Sequence, residues 1–303
     1  MRMSGIPKLV AAMGTEIEDP EEALVHAEVF LLFCQNLPSR DLGFVDSRAT
    51  LLEVAVGNRN FSIHQSPSVL RSDCDGGTTG AVVWEITPLV AQWMDSNNNP
   101  LFKNDVLGSQ SVILELGCGI SGIIALTLES RVRRYVLSDQ DYVMRILTKN
   151  LSANRNNPPN GRANFGRRKC LRNQPSGIER ITEDSSMTTV SLDWETDQIG
   201  KIHTGSMNGD GFDALIACDC IYNDALISPL VDTCVDACNL RLLPGEARPT
   251  VCVVAQQLRS AEVFEAWLKY FMKSFRVWRV PDDELIEGLR TNSGFVVHIG
   301  ILR

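Results

Sequence analysis

No apolar run in this chain approaches the ~20 residues needed to cross a bilayer. The longest candidate, residues 23–33, is broken by His26 and Glu28 and is expected to form an amphipathic core helix. Arg2 and Lys8 precede only the short apolar run 9–13 before Glu16, Glu18 and Asp19, so no secretory signal is expected. Paired cysteine spacings are also lacking. The nine cysteines, at positions 34, 74, 118, 170, 218, 220, 234, 238 and 252, are odd in number and follow no framework, which excludes a disulfide scaffold and predicts reduced, mostly buried thiols. The four histidines, at 26, 64, 203 and 298, have no ligand spacing, so no metal site is expected. A net positive charge is missing as well: at −8 the chain is not one that binds nucleic acid over its whole surface, and it suits a cationic partner better.

What is present is an ordinary globular composition, 44% hydrophobic and 22% charged over 303 residues. β-Branched and aromatic runs at 51–56 and 61–64 flank Gly57-Asn58-Arg59-Asn60 and predict a hairpin. Gly76-Gly77-Thr78-Thr79-Gly80 is a flexible break, followed by helical spacing from Ile86 to Met94 with Pro88 in its first turn. Strands are expected at 112–114, 135–137, 188–192, 214–217, 251–255, 275–280 and 294–302, and helices at 121–130, 142–153, 225–240 and 261–272. Such alternation implies an α/β fold, a mostly parallel sheet with helices on both faces. The short connection 281–293 permits an antiparallel pair at the end of the chain. Residues 154–186, rich in Asn, Pro, Gly and Arg, interrupt the alternation as a long loop. From Arg155 to Arg180 within it, Arg155, Arg162, Arg167, Arg168, Lys169, Arg172 and Arg180 stand against the single acid Glu179.

The stretch Ser111-Val-Ile-Leu-Glu-Leu-Gly-Cys-Gly-Ile-Ser-Gly122 runs an apolar strand into Gly117, Gly119 and Gly122 and then into a helix. Glycines at these positions let the backbone turn sharply and approach a ligand, and the helix start offers free N–H groups. The spacing also matches the dinucleotide fingerprint, with Asp139 placed 17 residues after Gly122 to hold a ribose, so nicotinamide chemistry stays open. Glu115 inclines the reading away from a diphosphate, because a carboxylate at that strand end suits a cationic or hydroxylated ligand. Further along, Ile216-Ala-Cys-Asp-Cys-Ile-Tyr-Asn-Asp224 sets a carboxylate between two cysteines. On a strand Cys218 and Cys220 share a face opposite Asp219, but no third or fourth metal ligand follows.

Glu-Leu-Gly-Cys-Gly-Ile-Ser-Gly, from Glu115 to Gly122, resembles motif I of the class I S-adenosylmethionine-dependent methyltransferases, and the resemblance spans about residue 80 to the C-terminus. Asp219-Cys-Ile-Tyr222 looks like the DxxY motif of the seven-β-strand protein lysine methyltransferases, with Trp84 and Trp194 as further matches. Taken together these motifs are most similar to the fungal ribosomal lysine N-methyltransferase 5 group. The resemblance implies a Rossmann-like seven-stranded sheet with an antiparallel C-terminal strand in residues 80–303, carrying the 154–186 insertion, and a helix and hairpin extension in residues 1–79. It implies S-adenosyl-L-methionine as cofactor, held by Trp84, Glu115, Gly117, Cys118, Gly119, Asp139, Trp194 and Cys218, with Asp219 and Tyr222 catalytic and Cys220 as packing. It also implies a cytoplasmic or nuclear monomer acting on a basic large-subunit ribosomal protein, with no membrane partner and nucleic acid met only through the basic loop. Other readings of single residues stay open: Trp84 and Trp194 as core aromatics, Asp139 as a helix cap, and a small-molecule methyltransferase on the same scaffold.

Overall fold

Residues 112–116, 214–218 and 251–257 are buried without exception, the pattern of strands covered on both faces. The computed structural model describes residues 5–18, 23–35, 38, 42–71, 78–155, 186–204, 211–241 and 248–303. Its elements are α1 (Ile6–Met13), α2 (Ala23–Phe33), the hairpin of β1 (Leu51–Val56) and β2 (Arg59–His64), the single turn α3 (Pro67–Leu70), α4 (Ile86–Asp95) and the single turn α5 (Pro100–Lys103). Then β3 (Val112–Leu116), α6 (Ile123–Leu128), β4 (Arg134–Asp139), α7 (Asp141–Arg155), β5 (Met187–Ser191), β6 (Ala214–Cys218), α8 (Ile227–Asn239), β7 (Val251–Gln257) and α9 (Ala261–Ser274) alternate, and β8 (Phe275–Arg279) and β9 (Phe295–Leu302) follow.

The seven-stranded sheet has the order β5-β4-β3-β6-β7-β9-β8. Pairings from β5 through β7 are parallel, while β9 lies antiparallel to both of its neighbours. The expected antiparallel terminal pair is therefore present. The connection between β8 and β9 consists of three short 3-10 turns, which suffices for a reversal at the edge. Since β3 runs outward to β4 and β5 before the chain returns to β6, the order reverses between β3 and β6, and a crevice opens at their C-terminal ends.

Alternate residues send the core to two faces. Ile113, Tyr135, Leu137, Ala214, Ile216 and Val253 pack with α4, α6 and α7 on one side. Leu114, Val136, Leu215, Ala217 and Val254 pack with α2, α8 and α9 on the other. The N-terminal extension shares the first cluster through Leu9, Met13, Val54, Val56, Phe61 and Ile63. The outer edge of β2 is closed by side chains of α7: Asn150 Oδ1 accepts from His64 N at 2.9 Å, and Asn154 Oδ1 from Ser62 N at 2.9 Å.

Two expectations change. Gly57 at φ +56° allows a two-residue turn, so Arg59 and Asn60 join the hairpin instead of its loop. Helix α2 does face the core, through Val25, Val29 and Leu32, yet Phe30 (69% exposed) and Leu31 (52% exposed) lie outward, so it is not amphipathic in the expected sense. Its orientation is set by Glu28, which turns inward to His298 Nε2 at 3.5 Å and Arg279 Nη1 at 3.4 Å. The basic segment lies almost wholly outside the described residues, as do Gly76 and Gly77. Its two ends are clasped together: Arg155 Nη2 donates to Ser186 Oγ at 2.9 Å, and both residues bond the carboxylate of Glu129.

Gly300 on β9 leaves room for the stacked rings of Phe271 and Phe275. A Cβ there would lie 2.5 Å from Phe271 Cζ. Gly300→Ala is expected to destabilise the protein by about 1–3 kcal/mol through overpacking, read from the midpoint of urea unfolding.

Candidate active site

The glycine loop leaves β3 through Gly117, Gly119 and Gly122, all near φ +60°. At Gly117 the small residue is needed twice, for the backbone angle and because a Cβ would sit 2.7 Å from Cys220 Sγ and 3.1 Å from Trp194 Cζ2. Gly119 N donates to Asp139 Oδ2 at 2.7 Å, and Gln140 N to Asp139 Oδ1 at 2.8 Å. Asp139 thus stands between the loop and α7. Because α7 begins at Asp141 and the bond goes to Gln140 N just before it, Asp139 does not cap the first turn of the helix, and the second acceptor direction of each oxygen is left for a ligand. Burial pushes the Asp139 carboxyl up to about 6 despite these two backbone bonds. Glu115, on β3, is buried and accepts from Tyr135 Oη at 2.8 Å. Burial pushes it up to about 8, the tyrosine bond pulls it down, and the nearby Asp139 raises it again.

Strand β6 ends at Cys218, and the next residue does not continue it. Asp219 has φ +61°, a left-handed conformation that non-glycine residues rarely adopt. This reverses the alternation expected for the two cysteines. Cys218 packs into the α4–α6–α7 face and Cys220 into the α8–α9 face, so they do not share a side. Burial pushes both thiols well up, which keeps them protonated. Among the described residues no group of three His, Cys, Asp or Glu is placed to hold a metal. Cys220 Sγ instead donates to Leu116 O at 3.2 Å beneath the glycine loop.

The Asp219 carboxylate is nearly fully engaged. Arg259 Nη1 donates to Oδ1 at 2.7 Å, Arg259 Nη2 to Oδ2 at 2.6 Å, and Gln257 N to Oδ1 at 3.1 Å. An open carboxylate waiting for a cation is therefore not what the site presents. Arg259 also lies over the Trp84 ring, 5.0 Å from its centroid, and donates to Leu42 O. Trp84 packs against Phe44 with ring centroids 4.5 Å apart and donates from Nε1 to Thr79 O at 3.1 Å. Tyr222, 40% exposed, accepts from Thr79 Oγ1 at 3.2 Å. Trp194 Nε1 is buried with no hydrogen-bond partner among the described residues.

All ten residues singled out from the sequence line one cleft at the C-terminal edge of the sheet: Trp84, Glu115, Gly117, Cys118, Gly119, Asp139, Trp194, Cys218, Asp219 and Tyr222. Cys220, assigned to packing, lines it too. Sequence reasoning missed Arg259 and Tyr142. Tyr142 Oη accepts from Gly80 N at 3.1 Å, and the Gly80 carbonyl in turn accepts from Ile120 N. The available signal was positional, because both residues follow closely on a strand that ends at this edge. The cleft fits an adenosine-like sulfonium: an orphaned indole donor, a glycine floor without side chains, and carboxylates at two adjacent strand ends.

Fold order, glycine loop and strand-end carboxylates define a class I S-adenosylmethionine-dependent methyltransferase. A family model described as lysine methyltransferase matches residues 65–165. A ribosomal lysine N-methyltransferase 5 from Zygosaccharomyces rouxii is 32% identical over 230 residues, covering 69% of this chain and 70% of the relative. The chain belongs to this lysine methyltransferase family, whose members are S-adenosylmethionine-dependent protein-lysine N-methyltransferases. A Schizosaccharomyces pombe protein named diaminohydroxyphosphoribosylamino-pyrimidine deaminase is 28% identical over 86% of this chain, which spans only 54% of that relative. No cysteine here follows a proline, as the Pro-Cys-x-x-Cys pair of zinc deaminases requires. Among solved structures, the N-methyltransferase NodS from Bradyrhizobium japonicum with S-adenosyl-L-homocysteine superposes at a TM-score of 0.42, with 11% identity, over 78% of this chain and 95% of that one.

Two outcomes follow from the site. Gly117→Ala is expected to weaken S-adenosylhomocysteine binding more than tenfold in calorimetry while the protein stays folded, since its Cβ meets Cys220 and Trp194. Glu115 holds its proton more tightly folded than unfolded, so the wild type loses stability as pH rises from about 4.5 to about 8. Urea unfolding across that range is expected to show a flatter profile for Glu115→Gln.

Proposed function

We propose that the protein methylates the ε-amino group of a lysine in a basic protein of the large ribosomal subunit, as a monomer in the cytoplasm or nucleus. The observation that carries this reading is the convergence of the glycine loop with Asp219 and Tyr222 of the DxxY stretch on one cleft. The relative's name supports the ribosomal acceptor, and the chain's net charge of −8 favours docking of a basic protein. No described helix is long and apolar enough to cross a membrane.

S-adenosylmethionine supplies an electrophilic methyl group on a sulfonium. Gly117, Cys118 and Gly119 would floor its site, Asp139 would meet ribose hydroxyls, and Trp194 and Cys218 would bound the adenine side. Glu115 would face the cationic end, and Trp84 would wall the mouth. The remaining work is positioning, because methyl transfer is an in-line displacement. A lysine ammonium has no lone pair, and lowering its pKa from ~10.4 to near neutrality requires ~4 kcal/mol, which burial beside a positive charge supplies. Asp219 Oδ2, which accepts a single bond, from Arg259, keeps a direction for an amine N–H. Tyr222 at the rim would wall the channel that brings the lysine in. We assign residues 80–303 to the catalytic domain and 1–79 to an extension that packs on both its faces, α1 and the hairpin on the α4–α7 side and α2 on the α8–α9 side.

Incubation with radiolabelled S-adenosylmethionine and a ribosome-containing lysate is expected to label one protein band on lysine. Label confined to small metabolites would refute the reading. In the same assay Asp219→Ala is expected to lower the rate by about 10²-fold through misplacement of the amine.

A further inference from the structure

Arg259 belongs to no part of the chemistry assigned so far, yet it makes more side-chain hydrogen bonds than any residue of the DxxY stretch, and it makes them directly behind Asp219. Its fork grips both oxygens of Asp219, its Nε and Nη2 reach Leu42 O, its Nη2 reaches Gln257 Oε1 at 2.9 Å, and its face covers Trp84. The Asp219 side chain is 2% exposed and that of Arg259 21%, so the pair is screened from solvent and the cancellation of its charges is felt inside the cleft.

We propose that Arg259 is a positioning residue that fixes Asp219 as a charge-neutralised acceptor, so that the cleft takes up the acceptor lysine as a neutral amine and discriminates against the ammonium. The inference rests on the reading of the cleft as a lysine site. A bare carboxylate would attract and stabilise the ammonium, the form that cannot react. With its charge already met by a bidentate guanidinium, the same carboxylate offers a hydrogen-bond direction without the Coulombic preference for a cation. The fork also fixes the left-handed turn at Asp219, on which the direction of Oδ2 depends. Of the other titratable groups, Cys218, Cys220 and Tyr222 lie within electrostatic reach of Asp219, and Glu115 from β3 and Asp139 from β4 line the same cleft. They are common to every variant below.

The test uses the full chain with labelled S-adenosylmethionine and salt-washed ribosomes as acceptor, following initial rates from pH 6.5 to 9.5. In Arg259→Gln the unpaired Asp219 is expected to move the acid limb of the rate profile upward by about one pH unit and to lower kcat about tenfold. In the double variant Arg259→Gln with Asp219→Asn no charge is left unpaired, and the limb is expected to return to the wild-type position although kcat stays low. Calorimetry with S-adenosylhomocysteine is expected to give affinities within about threefold of wild type for both proteins. A wild-type acid limb in Arg259→Gln would overturn the proposal, as would a limb displaced equally in both variants or a loss of S-adenosylhomocysteine binding that matches the loss of rate. Should the wild type label no protein at all, the lysine reading itself falls and this inference with it. Should Arg259→Gln not fold, the double variant decides: a displaced limb there overturns the proposal, and a wild-type limb with lowered kcat supports it.

Discussion

A carboxylate and a guanidinium joined by two short hydrogen bonds hold one wall of the cleft in shape. Asp219 sits where β6 ends in a left-handed turn, and Arg259 sits just beyond β7. Their pairing fixes the two strand ends to each other and, through Leu42 and Trp84, ties residues 42–45 to the segment 83–85 beside the cleft. Breaking such a pair leaves a buried charge uncompensated, which is why its loss is felt beyond the two residues themselves. The turn at Asp219 also decides which side of the sheet each flanking cysteine joins.

The electrostatic character of the cleft follows from burial as much as from residue type. Glu115 and Asp139 end adjacent strands in register, with Leu116 of β3 opposite Ser138 of β4, and both carboxyls are raised because water is excluded around them. A cation entering between them meets groups that ionise readily in its presence. Asp219, paired with Arg259 behind it, lines the same space from the end of β6. The carboxyls of one side thus respond to the charge that enters, while the carboxylate of the other has its charge already met.

Much of this was legible in the sequence because the informative residues are local. Glycines at 117, 119 and 122 after an apolar strand specify the loop wherever the rest of the chain goes, and the alternation of apolar runs gave the parallel sheet and its antiparallel end. The hairpin was visible from β-branched runs, although its turn proved tighter because Gly57 takes a positive φ. Arg259 could not be found in this way. Its partner is 40 residues earlier in the chain, and only the pairing of β6 with β7 brings them together. The orientation of Cys218 and Cys220 was misjudged for a related reason: strand periodicity holds only while the backbone remains extended, and it stops at Asp219. Helix α2 is apolar nearly all round, so its facing was set by Glu28 finding His298 and Arg279, contacts that no spacing rule contains.

The clasp of Arg155, Ser186 and Glu129 bears on how this enzyme can vary. It joins the two ends of the basic segment before any residue between them is considered, and Asn154, bonded to the hairpin, anchors the near end. With the ends already together, lengthening such a segment adds only ~0.6 kcal/mol for each doubling. Its length and charge are therefore almost free parameters of the fold. A lineage, or an engineer, can exchange that segment while the strands of the sheet remain in register.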